Sequence, residues 1–178
     1  MRIAKNGDVL VSAPFGVPKK TVEAFISSHE EWIARARKKT AERQNQREAF
    51  FNQLPLTTKA QKAEASEKIR ALVEPMVRRY SNMMGASPSS VAYKPMKSRW
   101  GVCYVKEGRI CYSTYLLLLP DWCVEHVVVH ELCHLLEPSH NAHFHALMDR
   151  YYPRWREARK ATREMARSLF STDGNSVP

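Results

Sequence analysis

One stretch constrains the fold of this chain more than any other: VVVHELCHLLEPSH, residues 127–140. An apolar run leads directly into His130, Glu131 and His134, and Pro138 follows. The run predicts a buried helix that ends just before the proline, because the residue preceding a proline disfavours helical geometry. Residues four apart share one helix face, so the two histidines lie side by side. Burying three ionisable groups on one segment is costly unless they share an ion or other partners.

The spacing H-E-x-x-H predicts a metal site, since both imidazoles can converge on one ion. Glu131 lies about 100° further round the helix, close enough to hold a water without being a ligand. His140 follows His134 with the spacing found in metzincins, in which a turn brings a third histidine to the metal. Those proteins have glycine where this chain has Glu137, so we expect Pro138 to supply a different turn. Zinc is the expected ion.

Other side chains compete for the third ligand position. His126 lies one turn before His130, but a fourth histidine would close the open position that a hydrolase needs. His143 and His145 lie on the next predicted helix and point in different directions. We expect all three to serve in packing, in support of the ligands or on the surface. Glu137 is a conceivable oxygen ligand that would have to reach the same ion in a strained geometry.

Composition narrows the class of protein. The chain has 178 residues and a net charge of +10, from 28 Lys+Arg against 18 Asp+Glu, which fits attraction to nucleotides or nucleic acid. Neither a membrane span nor a signal peptide is indicated, because no apolar run approaches the roughly 20 residues that a bilayer requires. We therefore expect a cytoplasmic protein without membrane contact. The four cysteines are expected to be buried free thiols, although Cys103 and Cys111 could face each other across a hairpin.

Hydrophobic periodicity predicts a mixture of helices and short strands. The predicted strands are 8–11, 91–94, 101–105 and 109–113. The predicted helices run from Pro18 to about Phe50, from Thr57 or Thr58 to about Tyr80 with a kink or boundary at Pro75, from Pro120 to Glu137, from Asn141 to Tyr152 and from Trp155 to Phe170. We divide the chain into an amino-terminal strand–helix extension (1–53), a catalytic domain (54–170) and a frayed tail (171–178).

Two linked motifs resemble the YgjP-like metallopeptidase domain, a relative of SprT-like and other zincin proteins. The hallmark of that family is S-R-W-G-S-C-S, a short hairpin with I-x-L-N-x-x-L, then H-E-L-x-H-L-x4-H-S-x-x-F-W. This chain has S-R-W-G-V-C-Y at 98–104, Ile110–Leu116 after the hairpin, and the histidine motif at 130–145. Residues 8–33 also resemble the family's amino-terminal strand and helix. The resemblance therefore covers nearly the whole chain.

The resemblance implies an α+β, zincin-like metallopeptidase fold: a small mixed or antiparallel sheet, an active-site helix and flanking helices. It makes His130, His134 and His140 the ligands of one Zn2+ per chain and Glu131 the catalytic acid/base. Departures from the family pattern leave these four residues intact and bear on substrate preference; they are Val102, Tyr104, Ser113, Asn141 and His145.

In zincins, a strand at the rim of the cleft binds substrate, and Arg109–Ser113 is the expected counterpart here. Arg99 and Tyr112 are the candidate substrate-binding residues, although Arg99 could instead form a structural pair with a carboxylate while Trp100 packs in the core. The function expected is a zinc peptidase acting on peptides or unfolded proteins. One alternative, favoured by the charge and Arg99, is a metal-dependent nucleotide phosphoanhydride hydrolase. Another is a nucleic-acid-associated protein with structural zinc, against which the carboxylate of Glu131 argues.

Overall fold

We describe the chain from a computed structural model, in which residues 1–4 and 6–165 are described. Helices and short strands follow one another in the order β1 (Arg2–Ile3), β2 (Val9–Leu10), α1 (Lys19–Ser27), α2 (Glu30–Asn52), α3 (Lys59–Met84), β3 (Ser90–Lys94), β4 (Gly101–Tyr104), β5 (Arg109–Ser113), α4 (Asp121–Leu136), α5 (Ala142–Tyr151) and α6 (Trp155–Met165). Short 3-10 turns, Val105–Glu107 and Thr114–Leu118, flank β5. The predicted tail, 171–178, and the predicted end of the last helix at Phe170 lie outside the described residues.

The predicted first long helix is divided in two at Ser28 and His29. Two side chains bond back to the carbonyl of Phe25: the Ser28 hydroxyl donates to it at 2.9 Å, and His29 Nδ1 lies 2.7 Å away. The backbone N–H of His29 consequently bonds to Ile26 O at 3.0 Å instead of continuing the α-helical pattern. Local side-chain hydrogen bonds of this kind compete with the helix, which explains the break.

Helix α3 begins at the predicted cap but ends at Met84, four residues beyond the predicted end at about Tyr80. Thr58 caps it, accepting a hydrogen bond from the N–H of Gln61, while the Gln61 side chain accepts one from the N–H of Thr58. Gly85 ends the helix in the left-handed conformation that favours glycine. The helix continues through Pro75. Its apolar stripe packs against α4 in the main core.

The three-stranded sheet has the order β3–β5–β4, with β5 parallel to β3 and antiparallel to β4. The expectation that Arg109–Ser113 offers a free edge is wrong, because β5 is the central strand and has a partner on each side. Tyr112, the fourth of the five residues of β5, is fully buried. The free edge nearest α4 belongs to β4.

Helix α4 lies at the centre of the fold. It packs against α3, α5, α6 and β4, and its apolar residues Val124, Val128, Val129 and Leu132 are fully buried. In the described part of the chain, no helix has the length and apolar character that crossing a bilayer requires. The predicted α+β arrangement of a small mixed sheet, a buried motif-bearing helix and flanking helices is confirmed.

All four cysteines are free, as expected. Cys103 lies opposite Ile110 in the β4–β5 ladder, and Cys111 lies opposite Val102. The alternative that Cys103 and Cys111 face each other is therefore wrong.

Candidate active site

Three imidazole nitrogens converge where α4 meets the turn that follows it. His130 Nε2 lies 3.2 Å from His134 Nε2 and 3.1 Å from His140 Nε2. All three ligand atoms lie within 4.8 Å of one another. Nitrogens that bind one zinc tetrahedrally at 2.0–2.1 Å are about 3.3–3.4 Å apart. The spacing and the chemistry of this donor set therefore fit a zinc ion.

The orientation of His134 is fixed by its backbone surroundings. Its Nδ1 lies 3.1 Å from the carbonyl oxygen of Glu137. A carbonyl only accepts hydrogen bonds, so Nδ1 carries the proton and Nε2 keeps a free lone pair. Support of this type orients metal-binding histidines and sets their tautomer.

Phe144 forms the base of the site. Its ring centroid lies 5.0 Å from that of His130, 4.6 Å from that of His134 and 4.8 Å from that of His140. The N-cap Asn141 accepts a hydrogen bond from the Phe144 N–H at 3.0 Å, which fixes the start of α5 beneath the histidines. Sequence reasoning placed Phe144 in the motif without assigning it this contact.

The turn that delivers His140 is held by Glu137. The Glu137 carboxylate accepts hydrogen bonds from the N–H of Ser139 at 3.1 Å and from its hydroxyl at 2.8 Å. These bonds lower the pKa of Glu137 to about 2. Glu137 has φ −141°, so the turn needs no left-handed residue at the position where metzincins have glycine. Pro138 is thus assisted by a side chain that sequence reasoning considered only as a possible ligand.

The three histidines are held in their neutral form. Burial lowers the pKa of His130 to about 2, with the neighbouring His134, His126 and His140 adding to the effect. Burial also lowers the pKa of His134 and of His140. Neutral imidazoles have the lone pairs that a metal ion requires.

Glu131 lies buried against β4. Strand and side chain approach so closely that a Cβ at Gly101 would lie 2.6 Å from both Cγ and Oε1 of Glu131. The backbone N–H of Cys103 donates a hydrogen bond to this carboxylate. Burial raises the pKa of Glu131 to about 8, while the Cys103 hydrogen bond and the charge of Arg99 oppose the rise. A carboxyl with such a pKa can take up and release a proton near neutral pH.

The two candidate substrate residues lie in different surroundings. Arg99 is exposed in the loop before β4, and its charge reaches Glu131. Within residues 1–4 and 6–165 it forms neither an ion pair nor a hydrogen bond, so the expected alternative of a structural pair is not observed, whereas Trp100 packs against the core as expected. Tyr112 is buried, and its hydroxyl makes a long hydrogen bond of 3.4 Å to Val128 O. The proposed substrate contact of Tyr112 is incompatible with this position.

The other three histidines of the motif region do not belong to the cluster formed by His130, His134 and His140. His126 is buried and stacks on Tyr152, with ring centroids 6.3 Å apart. His145 stacks on Trp155 at 5.4 Å, and His143 Nδ1 lies 3.4 Å from the carboxylate of Glu137. Their positions match the expected packing and surface roles.

The model of the YgjP-like, metallopeptidase domain family matches residues 1–57 and 56–165. The chain belongs to the YgjP-like family. The resemblance noted in its motifs is confirmed, and the protein is a member of a metallopeptidase family. Comparison with curated proteins gave no match.

Two solved structures resemble parts of this YgjP-like chain. One is the metallopeptidase zymogen of Pyrococcus abyssi abylysin, with 21% identity and a TM-score of 0.49, covering 53% of this chain and 95% of that one. The other is the metallopeptidase zymogen of Methanocaldococcus jannaschii jannalysin, with 18% identity and a TM-score of 0.46, covering 55% of this chain and 97% of that one.

Proposed function

We propose that this YgjP-like protein is a zinc-dependent peptidase in which His130, His134 and His140 hold one zinc per chain and Glu131 is the general base. The observation that carries the proposal is the convergence of three neutral imidazole nitrogens next to a buried carboxylate. Structural zinc sites are usually closed by four protein ligands, whereas this set has three, and His140 is exposed. The site therefore has room for a water and a substrate.

Each residue has a separate task in this proposal. When bound, zinc supplies a Lewis acid that polarises the scissile carbonyl and lowers the pKa of the attacking water to about 7. Glu131 accepts a proton from that water and passes it to the leaving amine. The Cys103 N–H and the close contact with Gly101 hold the carboxylate in one place while its protonation changes.

The substrate strand is reassigned from β5 to β4. Within the three-stranded sheet β4 pairs only with β5, so one of its edges has no strand partner, and the strand itself lies against Glu131. An extended peptide can pair with a free strand edge through backbone hydrogen bonds. We propose that a peptide or unfolded segment binds along Gly101–Tyr104.

A metal-dependent nucleotide phosphoanhydride hydrolase is the second candidate. The specific observation in its favour is an exposed Arg99 beside the site without an ion-pair partner among the described residues. The net charge of +10 acts in the same direction. The family is described as a metallopeptidase domain, and this description together with the free strand edge makes the peptidase the better supported function. The third possibility, a nucleic-acid-associated protein with structural zinc, gives Glu131 no task.

The test is a substrate screen on protein of known metal content. Purified protein should contain about one zinc per chain by mass spectrometry and should cleave casein or members of a peptide library. A chelator should abolish cleavage, and added zinc should restore it. Hydrolysis of nucleoside triphosphates without activity on any peptide or unfolded protein would overturn the peptidase proposal and leave the metal site intact.

A further inference from the structure

The last two turns of α2 carry an arginine and two aromatic residues on one face. Arg47, Phe50 and Phe51 lie at positions i, i+3 and i+4, which are neighbours on the surface of a helix. Phe51 is buried, and the other buried residues of α2, Ile33 and Ala36, lie about four turns or more before it. Phe51 belongs to the smaller of the two core clusters, which also contains Leu56, Ala65 and Tyr115. The amino-terminal extension therefore reaches a core cluster of the catalytic domain at this end of α2.

This face of α2 contacts the loop 95–100, which joins β3 to β4. Arg47 Nη2 donates a hydrogen bond of 3.1 Å to the carbonyl oxygen of Lys97, a residue 50 positions away in the sequence. The ring of Phe50 meets the ring of Trp100 edge-on, with their centroids 6.2 Å apart. The end of α2 thus holds the loop both at its backbone and at its last side chain.

The two ends of the same loop are held from β5. The Ser113 hydroxyl donates a hydrogen bond of 2.8 Å to the carbonyl oxygen of Met96, and the Ser113 N–H donates one of 2.8 Å to that of Trp100. Between these two points, Arg47 holds the carbonyl of Lys97. A loop of irregular structure is fixed by such contacts with the scaffold around it. Here the contacts come from β5 on one side and from α2 on the other.

Trp100 leads directly into the strand that lies against Glu131. Phe50 and Trp100 both pack against the main core and against the smaller cluster. The next residue, Gly101, approaches Glu131 so closely that an added Cβ would lie 2.6 Å from its Oε1, and the N–H of Cys103 donates a hydrogen bond to the same carboxylate. Close-packed groups transmit displacements to their neighbours. A shift of Trp100 is therefore passed on to the backbone that holds Glu131.

We propose that Arg47 and Phe50 are positioning residues, which hold the loop 95–100 and, through Trp100, keep β4 in place against Glu131. The inference rests on the proposed peptidase function, because it takes Glu131 as the general base. It gives the amino-terminal extension a part in catalysis that requires no contact with the substrate. A misplacement of about 1 Å at a catalytic group can lower the rate about 100-fold, even when its cause lies far from the chemistry.

The first test measures the loop and needs no substrate. In zinc-loaded protein, amide hydrogen exchange of residues 96–104 should become about tenfold faster in Phe50→Ala and in Arg47→Ala, because lost contacts favour local opening. Ile33→Ala is the control for a loss of stability, since Ile33 is buried on the same helix about 20 Å before Arg47. Arg43→Ala is the control for charge, since Arg43 has no hydrogen bond or ion pair with any residue that the structure describes. Unchanged exchange in both test variants, or equal acceleration in the controls, would overturn the inference.

The second test asks whether Phe50 acts through Glu131. At equal zinc content, Phe50→Ala should lower kcat for a cleaved peptide about tenfold, and Phe50→Leu, which keeps an apolar side chain against Trp100, should lower it less. In the Glu131→Gln background, Phe50→Ala should have no further effect on the residual kcat, because residues that act as a unit are not additive. A merely structural role would lower kcat by the same factor in both backgrounds, and that result would overturn the inference. If Phe50→Ala fails to fold, Arg47→Ala, at a half-buried position, takes its place in both tests.

The two readouts separate this inference from the proposed function. Peptide cleavage with unchanged exchange over residues 96–104 and unchanged kcat in the variants means that the peptidase proposal stands and the positioning role fails. Faster exchange without any loss of kcat also overturns the positioning role. Faster exchange in a protein whose wild type cleaves no peptide supports the hold of α2 on β4 and overturns the peptidase proposal.

Discussion

Replacing Gly101 with alanine tests how Glu131 is positioned. The added Cβ would lie 2.6 Å from Cγ and Oε1 of Glu131 and 2.8 Å from Cδ. Carbon atoms in contact are about 3.5–4.0 Å apart, so the carboxylate or β4 must move by roughly 1 Å. Overpacking of this kind costs about 1–3 kcal/mol of stability, and a misplacement of about 1 Å can lower the rate about 100-fold. Gly101 lacks a positive φ, so alanine introduces no backbone strain of its own.

The assay compares stability, zinc content and peptide turnover in four proteins: wild type, Gly101→Ala, Glu131→Ala and the double variant. Zinc content should stay the same in Gly101→Ala, because the three atoms nearest to the added methyl group all belong to Glu131, while turnover falls. Glu131→Ala removes the atoms with which the methyl group clashes. Gly101→Ala should therefore lose its stability cost in that background, as residues in contact are not additive. An equal cost in both backgrounds would refute the reasoning.

Three further predictions concern the turn, the buried carboxyl and the reassigned tyrosine. Glu137→Ala removes the acceptor of both Ser139 hydrogen bonds and should lower the zinc affinity about tenfold in a chelator competition. Glu137→Gln should lower it less. Unchanged zinc affinity in both variants would contradict the role of this side chain in the turn. Burial raises the pKa of Glu131 to about 8, so the folded state binds this proton more tightly than the unfolded chain does. The unfolding free energy of the metal-free protein, measured by urea denaturation, should therefore fall between about pH 5 and pH 8 relative to that of Glu131→Gln. If the unfolding free energies of the two proteins changed in parallel over this pH range, the raised pKa of Glu131 would be excluded. Tyr112→Phe should leave kcat/KM for peptides unchanged, because the hydroxyl bonds to Val128 O in the core; a large loss would return Tyr112 to the substrate site.

Local features of the chain were predictable from its sequence. The helix that carries His130 and His134, its end before Pro138 and the cap at Asn141 all follow from short-range rules of spacing and capping, and the structure has them within a residue or two. The cluster of His130, His134 and His140 follows from these features, because a short turn joins α4 to α5 and carries His140 back to the two histidines of α4.

Relations between distant segments were not predictable in the same way. The chain does not encode strand order locally. A hairpin between β4 and β5 was expected, while the parallel pairing of β5 with β3, which the chain reaches only after passing through β4, was missed. The same limit applies to Gly101. It becomes important only because folding brings β4 beside α4. A glycine in a strand carries no signal that would have distinguished it.

The break between α1 and α2 shows a third kind of limit. The apolar spacing continues through Ser28 and His29, so periodicity alone predicts one helix. The side chains of both residues bond to Phe25 O, and this local competition ends the helix. Serine and histidine also occur within helices, so the presence of Ser28 and His29 was not sufficient to predict the break between α1 and α2.

The most direct test of the proposed function is the turnover of Glu131→Gln at matched zinc content. Glutamine keeps the shape of the side chain but cannot accept the proton from the attacking water. With a peptide that the wild-type protein cleaves, and with equal zinc bound to both proteins, kcat should fall by about 10²–10⁴-fold. Equal turnover of the two proteins at equal zinc would contradict the assignment of Glu131 as the base, and with it the proposed mechanism.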